Sequence, residues 1–170
     1  MMADPLLPAV PPGEDADRRE GDPYLQFALA LPGRFALPAV GVQEVLLVQP
    51  EQLTVFPNVP PLVLGAINWR GRLSWVVDLG RRLGAEEPLA LGTQDLPVLV
   101  VAEPTGMLGL AVSRLGRMLW IQPDLLQTGL SPLPRLQPLL RGFVQPSDRY
   151  PEGVMVLDPH ALITPACWAA

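Results

Sequence analysis

A chain with one histidine, one cysteine and no lysine has few ways to do covalent chemistry. His160 stands in Asp158-Pro159-His160, with no second histidine for a metal site and no surrounding context for a triad or a phosphorelay. Cys167 alone excludes an intrachain disulfide and a thiolate cluster, and reads as a spectator thiol. Asp78 and Asp158 follow similar apolar runs and could be taken for a duplicated acid pair. Leu79 and Pro159 come next, however, where an aspartic-protease loop needs Thr or Ser and then Gly, so both aspartates read as caps or turn residues. A lysine-free chain has no phosphate-binding Gly-x-x-x-x-Gly-Lys loop, and Gly106 and Gly109 form no dinucleotide fingerprint. No catalytic residue, metal ligand set or cofactor is expected. What remains is Asn68-Trp69-Arg70-Gly71, which holds the two residue types most enriched in binding hot spots. Its chemistry is that of contact. From spacing alone Arg70 is either a solvated hairpin arginine or a contact residue, and Trp69 either a core-edge residue or an anchor.

The elements that must position these residues are two apolar runs, Leu62–Ile67 and Leu73–Val77. The second alternates, with Leu73, Trp75, Val77 and Leu79 on the face assigned to the core and Ser74, Val76 and Asp78 on the other, as in a half-buried strand. Gly71 supplies the positive φ of a tight hairpin, and Asn68 can bond nearby backbone. Pro57, Pro60 and Pro61 exclude a helix on the approach and make it an extended arm. The expectation is a rigid hairpin presenting an arginine and an indole to solvent.

Taken in order, strands are expected over 24–31, 34–40 (with Pro38 near its end) and 43–48, before the hairpin and a helical turn at 79–83 that Gly84 ends. A linker at 84–95 follows. The pattern then recurs, with strands at 96–102, 107–112, 115–121, 139–145 and 153–157, and a short terminal helix capped by Asp158. Gln122-Pro123-Asp124 echoes Gln49-Pro50-Glu51 at an offset of 73 residues, and Asp158 echoes Asp78 at 80. This reads as a divergent duplication: repeat one about 24–84, linker about 85–95, repeat two about 96–164. Short strands broken by Pro and Gly give an all-β class, two small five-stranded barrels packed together with short helical turns.

At 170 residues the chain suffices for one domain with a real core, here 23–165. Residues 1–22 read as a flexible acidic, proline-rich tail, because they cannot bury enough surface to offset ordering. Six acids against two arginines over 1–23 put most of the net charge of −5 there, and leave the remainder with eleven acids against ten arginines. A nearly neutral body without a basic cluster argues against nucleic acid as a partner. No apolar run approaches the roughly 20 residues of a membrane span, and the N-terminus lacks the basic and apolar regions of a secretory signal. Direct membrane insertion is not expected, and a reducing cytoplasm fits the cysteine usage.

The string Pro57-Asn58-x-Pro60-Pro61-x-x-x-Gly65-x-Ile67-Asn68-x-Arg70-Gly71, followed by Val76-Val77-Asp78-Leu79, is similar to the signature of the CheW family of chemotaxis coupling proteins. Val42-Gln43-Glu44-Val45 matches a second family block. The similarity runs over roughly 24–163. Trp75 stands where the family usually has proline, and Pro38 interrupts a segment that is usually an unbroken strand. The resemblance implies two five-stranded, SH3-like barrels with a shared hydrophobic core, and leaves open an exchange of strands between them. It implies a non-catalytic scaffold, in the cytoplasm and recruited to membrane-associated receptor arrays. Its partners would be the regulatory domain of a CheA-type histidine kinase and the cytoplasmic hairpin tip of chemoreceptors. By the same resemblance Val42, Glu44, Asn68, Trp69, Arg70 and Gly71 would be partner-binding residues. Rival readings are an adaptor of a pilus-motility or gene-regulatory array and, from another class, a small β-barrel ligand-binding module or enzyme.

Overall fold

The computed structural model describes residues 20–104 and 106–164. In chain order the strands are β1 (Asp22–Ala28), β2 (Phe35–Pro38), β3 (Val42–Val48), β4 (Val63–Trp69), β5 (Arg72–Asp78), β6 (Leu96–Glu103), β7 (Gly106–Ala111), β8 (Arg114–Ile121), β9 (Leu126–Gln127), β10 (Leu140–Val144) and β11 (Val154–Leu157). Two short helices, α1 (Leu79–Arg82) and α2 (Pro159–Ile163), each follow a capping aspartate. Asp78 accepts from the Arg81 amide at 3.1 Å and from the Leu89 amide at 2.7 Å, which satisfies both oxygens of a buried carboxylate. Asp158 accepts from the His160 amide at 3.1 Å. These are the capping roles expected of the two acids.

The strands form two curled mixed sheets, ordered β8-β1-β2-β11-β10-β9 and β3-β6-β7-β5-β4. Strands are exchanged between the halves of the chain. β1 and β2 complete the sheet built by β8 to β11, while β6 and β7 complete the one built by β3 to β5. Each sheet has one parallel pair, Val156 beside Ala36 in the first and Val76 beside Gly109 in the second. Ala36 and Gly109 stand 73 positions apart, and Val76 and Val156 80 apart. Irregularities recur as well: β4–β5 shifts register between Val63 and Gly65, and β10–β11 between Leu140 and Gly142. β9, which no sequence signal marked, is a two-residue strand beside β10, and the bridge between Thr54 and Ala66 is its counterpart.

Three apolar clusters explain why this arrangement is stable. Tyr24, Leu119, Ile121, Val144 and Val156 fill the first barrel. Val48, Ile67, Val76, Leu96 and Val98 fill the second. Between them, Phe27, Phe35, Leu37 and Met155 meet Val77, Leu99, Leu110 and Leu162 in a common core. Each such side chain contributes about 1.5–3 kcal/mol when fully buried.

Two expectations need correction. β5 is not half-buried: Ser74, Val76 and Asp78 are as buried as Val77 and Leu79, because Val76 packs into the interior of the second barrel on one face while Val77 and Leu79 pack into the common core on the other. At its other end Leu73, assigned to the core by alternation, is 62% exposed, because β7 pairs only with Val76–Asp78 and the hairpin projects beyond the sheet. The strand expected over 34–40 is shorter: β2 ends at Pro38, which still pairs with Tyr24, and a 3-10 turn at Ala39–Gly41 follows. The expected tail (1–22) lies outside the described residues up to residue 19. Its last part is structured, with Gln122 donating to the Glu20 carboxylate at 2.9 Å and Asp22 pairing with Ile121. Cys167 also lies outside the described residues.

Candidate partner-binding site

The hairpin of β4 and β5 turns on two residues, Arg70 at φ 49° and Gly71 at φ 75°. Positive φ at both central positions matches the twist of the flanking strands. Nothing lies within 4 Å of a Cβ built on Gly71, so conformation and not space requires the glycine. Arginine at the first position has no such ease. A bulky residue held in the left-handed region costs on the order of 1 kcal/mol, which directs attention to what its side chain does.

Arg70 reaches the edge strand at the other end of the same sheet. On β3 the pairing to β6 shifts register between Val42 and Glu44, and this bulge separates the directions of the two side chains. Glu44 Oε2 accepts a hydrogen bond from Trp69 Nε1 at 2.5 Å and lies 3.5 Å from Arg70 Nη2. The Arg70 guanidinium lies over the Trp69 ring, 4.8 Å from its centroid. One carboxylate oxygen thus serves both an indole and a guanidinium, and ties the two ends of the sheet together. The side chains remain partly in water, Arg70 67% and Glu44 38% exposed, so the ion pair itself adds no more than about 1 kcal/mol to stability. Its consequence is orientation: the guanidinium is held over the indole and beside the carboxylate.

The surrounding groove, of about 480 Å³, is lined by Glu44, Leu47, Gln52, Ile67, Asn68 and Arg70 among others. Of the six residues expected at a site, the structure brings Glu44, Asn68, Trp69 and Arg70 into this one groove. Gly71 is the exposed turn beside it. Val42 lies beyond the bulge, packed against the common core and paired with Val101. Trp69 is half-buried, which resolves its open status: it is an edge residue with its N–H engaged, not an indole presented freely to solvent. Leu47, 61% exposed on the groove wall, was missed, because Val45–Val48 is uniformly apolar and no alternation marks its outward residues. Trp75 packs edge-on against Phe56, ring centroids 5.1 Å apart. Among the described residues no group of three or more His, Cys, Asp or Glu side chains could hold a metal ion.

Two small barrels sharing a core, one of them with a projecting hairpin, define a two-barrel all-β class. Over residues 24–166 the chain matches the family described as CheW-like domain, and it belongs to that family. Its fold is similar to that in the crystal structure of the scaffolding protein TtCheW from Thermoanaerobacter tengcongensis. That match has a TM-score of 0.66 and 20% sequence identity, and covers 81% of this chain and 89% of that one. No curated protein sequence matches the chain.

Proposed function

We propose that this chain is a non-catalytic scaffold that couples chemoreceptors to a CheA-type histidine kinase in two-component chemosensory signalling. The observation that carries the reading is the Glu44–Trp69–Arg70 cluster, pre-oriented on the hairpin of a CheW-like domain. In this role Val42, Glu44, Asn68, Trp69, Arg70 and Gly71 form or support the contact surface. The partners are the kinase regulatory domain and the cytoplasmic hairpin tip of the receptor, and the chain works in the cytoplasm at membrane-associated arrays. The mechanism is binding alone: one geometry for kinase and receptor, so that receptor state reaches kinase activity. Among the described residues no helix is long and apolar enough to cross a membrane.

Titration of the purified chain with a kinase regulatory domain, and separately with a receptor cytoplasmic fragment, tests the reading. Saturable binding to both is expected, with no labelled phosphate appearing on this chain when kinase and ATP are added. Failure to bind either partner, or transfer of phosphate onto the chain, would overturn it.

A further inference from the structure

The groove at the hairpin has a counterpart in the other barrel. It lies between β8 and the loop joining β10 to β11, and has a volume of about 560 Å³. β8 carries its bulge where β3 does: Gly116 and Arg117 together oppose Gln26, between the pairs Phe27–Leu115 and Leu25–Met118. The offset of 73 residues that relates Gln49-Pro50 to Gln122-Pro123 also relates Glu44 to Arg117. The acid that closes the first groove is therefore replaced by a cation in the second.

Arg34, Arg114, Arg117 and Arg149 line this cavity, from three separate parts of the chain. Glu152 is the one acid in the lining, and it is already paired with Arg34. Four cations against one anion leave a net charge of +3 around the cavity, in a protein whose net charge is −5. Arg114 and Arg117 are exposed and have no ion-pair partner among the described residues. The rest of the lining combines polar Gln26 and Tyr150 with apolar Ala28, Leu115, Leu119 and Val154. The cavity is also preformed: Tyr150 donates its hydroxyl to the Trp120 carbonyl at 2.7 Å and so pins the loop to β8, while the Arg149 guanidinium lies 5.6 Å from the Tyr150 ring centroid.

We infer that this second groove binds a phosphorylated small molecule of nucleotide size, its phosphates on the arginine forks and its organic part on the apolar lining. Guanidinium forks match phosphate geometry bidentately. The volume falls within the range of small-ligand sites, roughly 300–1,000 Å³. A nucleoside di- or triphosphate concentrates about three to four negative charges in that space, which the few peptide residues that would fit do not match. This is binding without hydrolysis, and it does not rest on the coupling role.

Calorimetric titration of the full chain with adenosine diphosphate, adenosine triphosphate and a hexaglutamate peptide tests it. Both nucleotides are expected to bind saturably and more tightly than the peptide, and to weaken as salt is raised. The double variant Arg114→Gln/Arg117→Glu is expected to lose at least tenfold in nucleotide affinity while keeping its melting temperature within a few degrees. Absence of saturable nucleotide binding, indifference of that binding to the double variant, or tighter binding of hexaglutamate, the mark of a protein-docking face, would each overturn the inference.

Discussion

The two barrels pose one construction problem and solve it with opposite charges. In each, a bulged edge strand faces the end of a hairpin whose backbone it does not pair with. In the barrel of β3 to β7 the gap is closed from within, Glu44 taking the Trp69 N–H and the Arg70 guanidinium on one oxygen. In the barrel of β8 to β11 the equivalent place holds Arg117, and the loop is tied instead through Tyr150 to main chain. Side-chain charge is then free to accumulate, and four arginines line the space. A duplicated frame can thus keep its hydrogen-bond ladder and change its surface completely, because the ladder depends on backbone register and the surface on a few outward residues.

The comparison breaks most visibly if the barrels do not share a core. Val77 is 2% exposed, and Leu157, its counterpart 80 positions on, is fully buried. Val77→Asp and Leu157→Asp should each cost about 3 kcal/mol or more, by placing an unpaired charge among apolar neighbours. Denaturant unfolding should remain a single transition in both variants, because the common core joins residues of both sheets. A second transition surviving in either variant would mean that the barrels are stable independently.

A smaller effect sharpens the match between the hairpins. A Cβ on Gly65 would stand 2.7 Å from the Thr54 carbonyl oxygen, and φ there is +149°. On Gly142 it would meet Leu126 Cγ at 2.8 Å and the Gln127 carbonyl oxygen at 2.9 Å, without the positive φ. Gly65→Ala should therefore cost about 2 kcal/mol and Gly142→Ala somewhat less. Equal melting temperatures for the two variants would remove the backbone-strain part of the account.

How much of the fold and the site is legible in the amino-acid sequence turns on which signals are local. The hairpin is legible, because Gly71 and the apolar runs on either side, the second of them alternating, specify a tight turn by themselves. The capping aspartates are too, each followed by a segment that cannot continue the strand. Burial of Ser74 and Asp78 is not, since the face they share with Val76 is covered by the second barrel's interior, to which Leu96, Val98 and Ala111 contribute from far along the chain. The Ser74 hydroxyl lies in the core with no hydrogen-bond partner among the described residues, and nothing in its neighbours along the chain announces that. The Glu44–Trp69 bond joins residues 25 apart across a sheet that has to curl before they meet. The arginine cavity is least legible. Arg34, Arg114, Arg117 and Arg149 form no run in sequence, so the body reads as having no basic cluster; strand exchange brings them to one place.

At the first groove the contrast is between a turn and a contact. Arg70→Glu should leave circular dichroism and melting unchanged within about 1 kcal/mol, since the arginine is exposed and its ion pair weak. Kinase or receptor binding should fall at least about tenfold, the equivalent of ~1.4 kcal/mol. Arg72→Glu, just inside β5 and opposite Trp69, is the control and should weaken binding less. Arg70→Asn goes further. Asparagine tolerates positive φ, so this variant should be as stable as the parent or more so, while still losing affinity. Full binding by Arg70→Glu would reduce the turn to a turn.

The smallest effect separates the barrels by pH. Tyr24 on β1 and Val98 on β6 hold equivalent places, each buried and each facing its own barrel interior. Only the first can ionise. Burial raises the Tyr24 phenol above its ordinary pKa of 10.0, the Asp22 carboxylate raises it further, and Arg141 offsets part of the rise. The folded state therefore favours the protonated phenol. That contribution is fully present below about pH 10 and is lost as pH climbs through the raised folded value, because the unfolded chain ionises first. The parent should lose stability over that alkaline range. Tyr24→Phe should flatten this part of the profile, and a substitution at Val98 should leave its slope unchanged. Urea midpoints measured from about pH 8 to 11 check both. A slope that survives Tyr24→Phe would assign the alkaline sensitivity to another group and leave the two barrels alike in pH response.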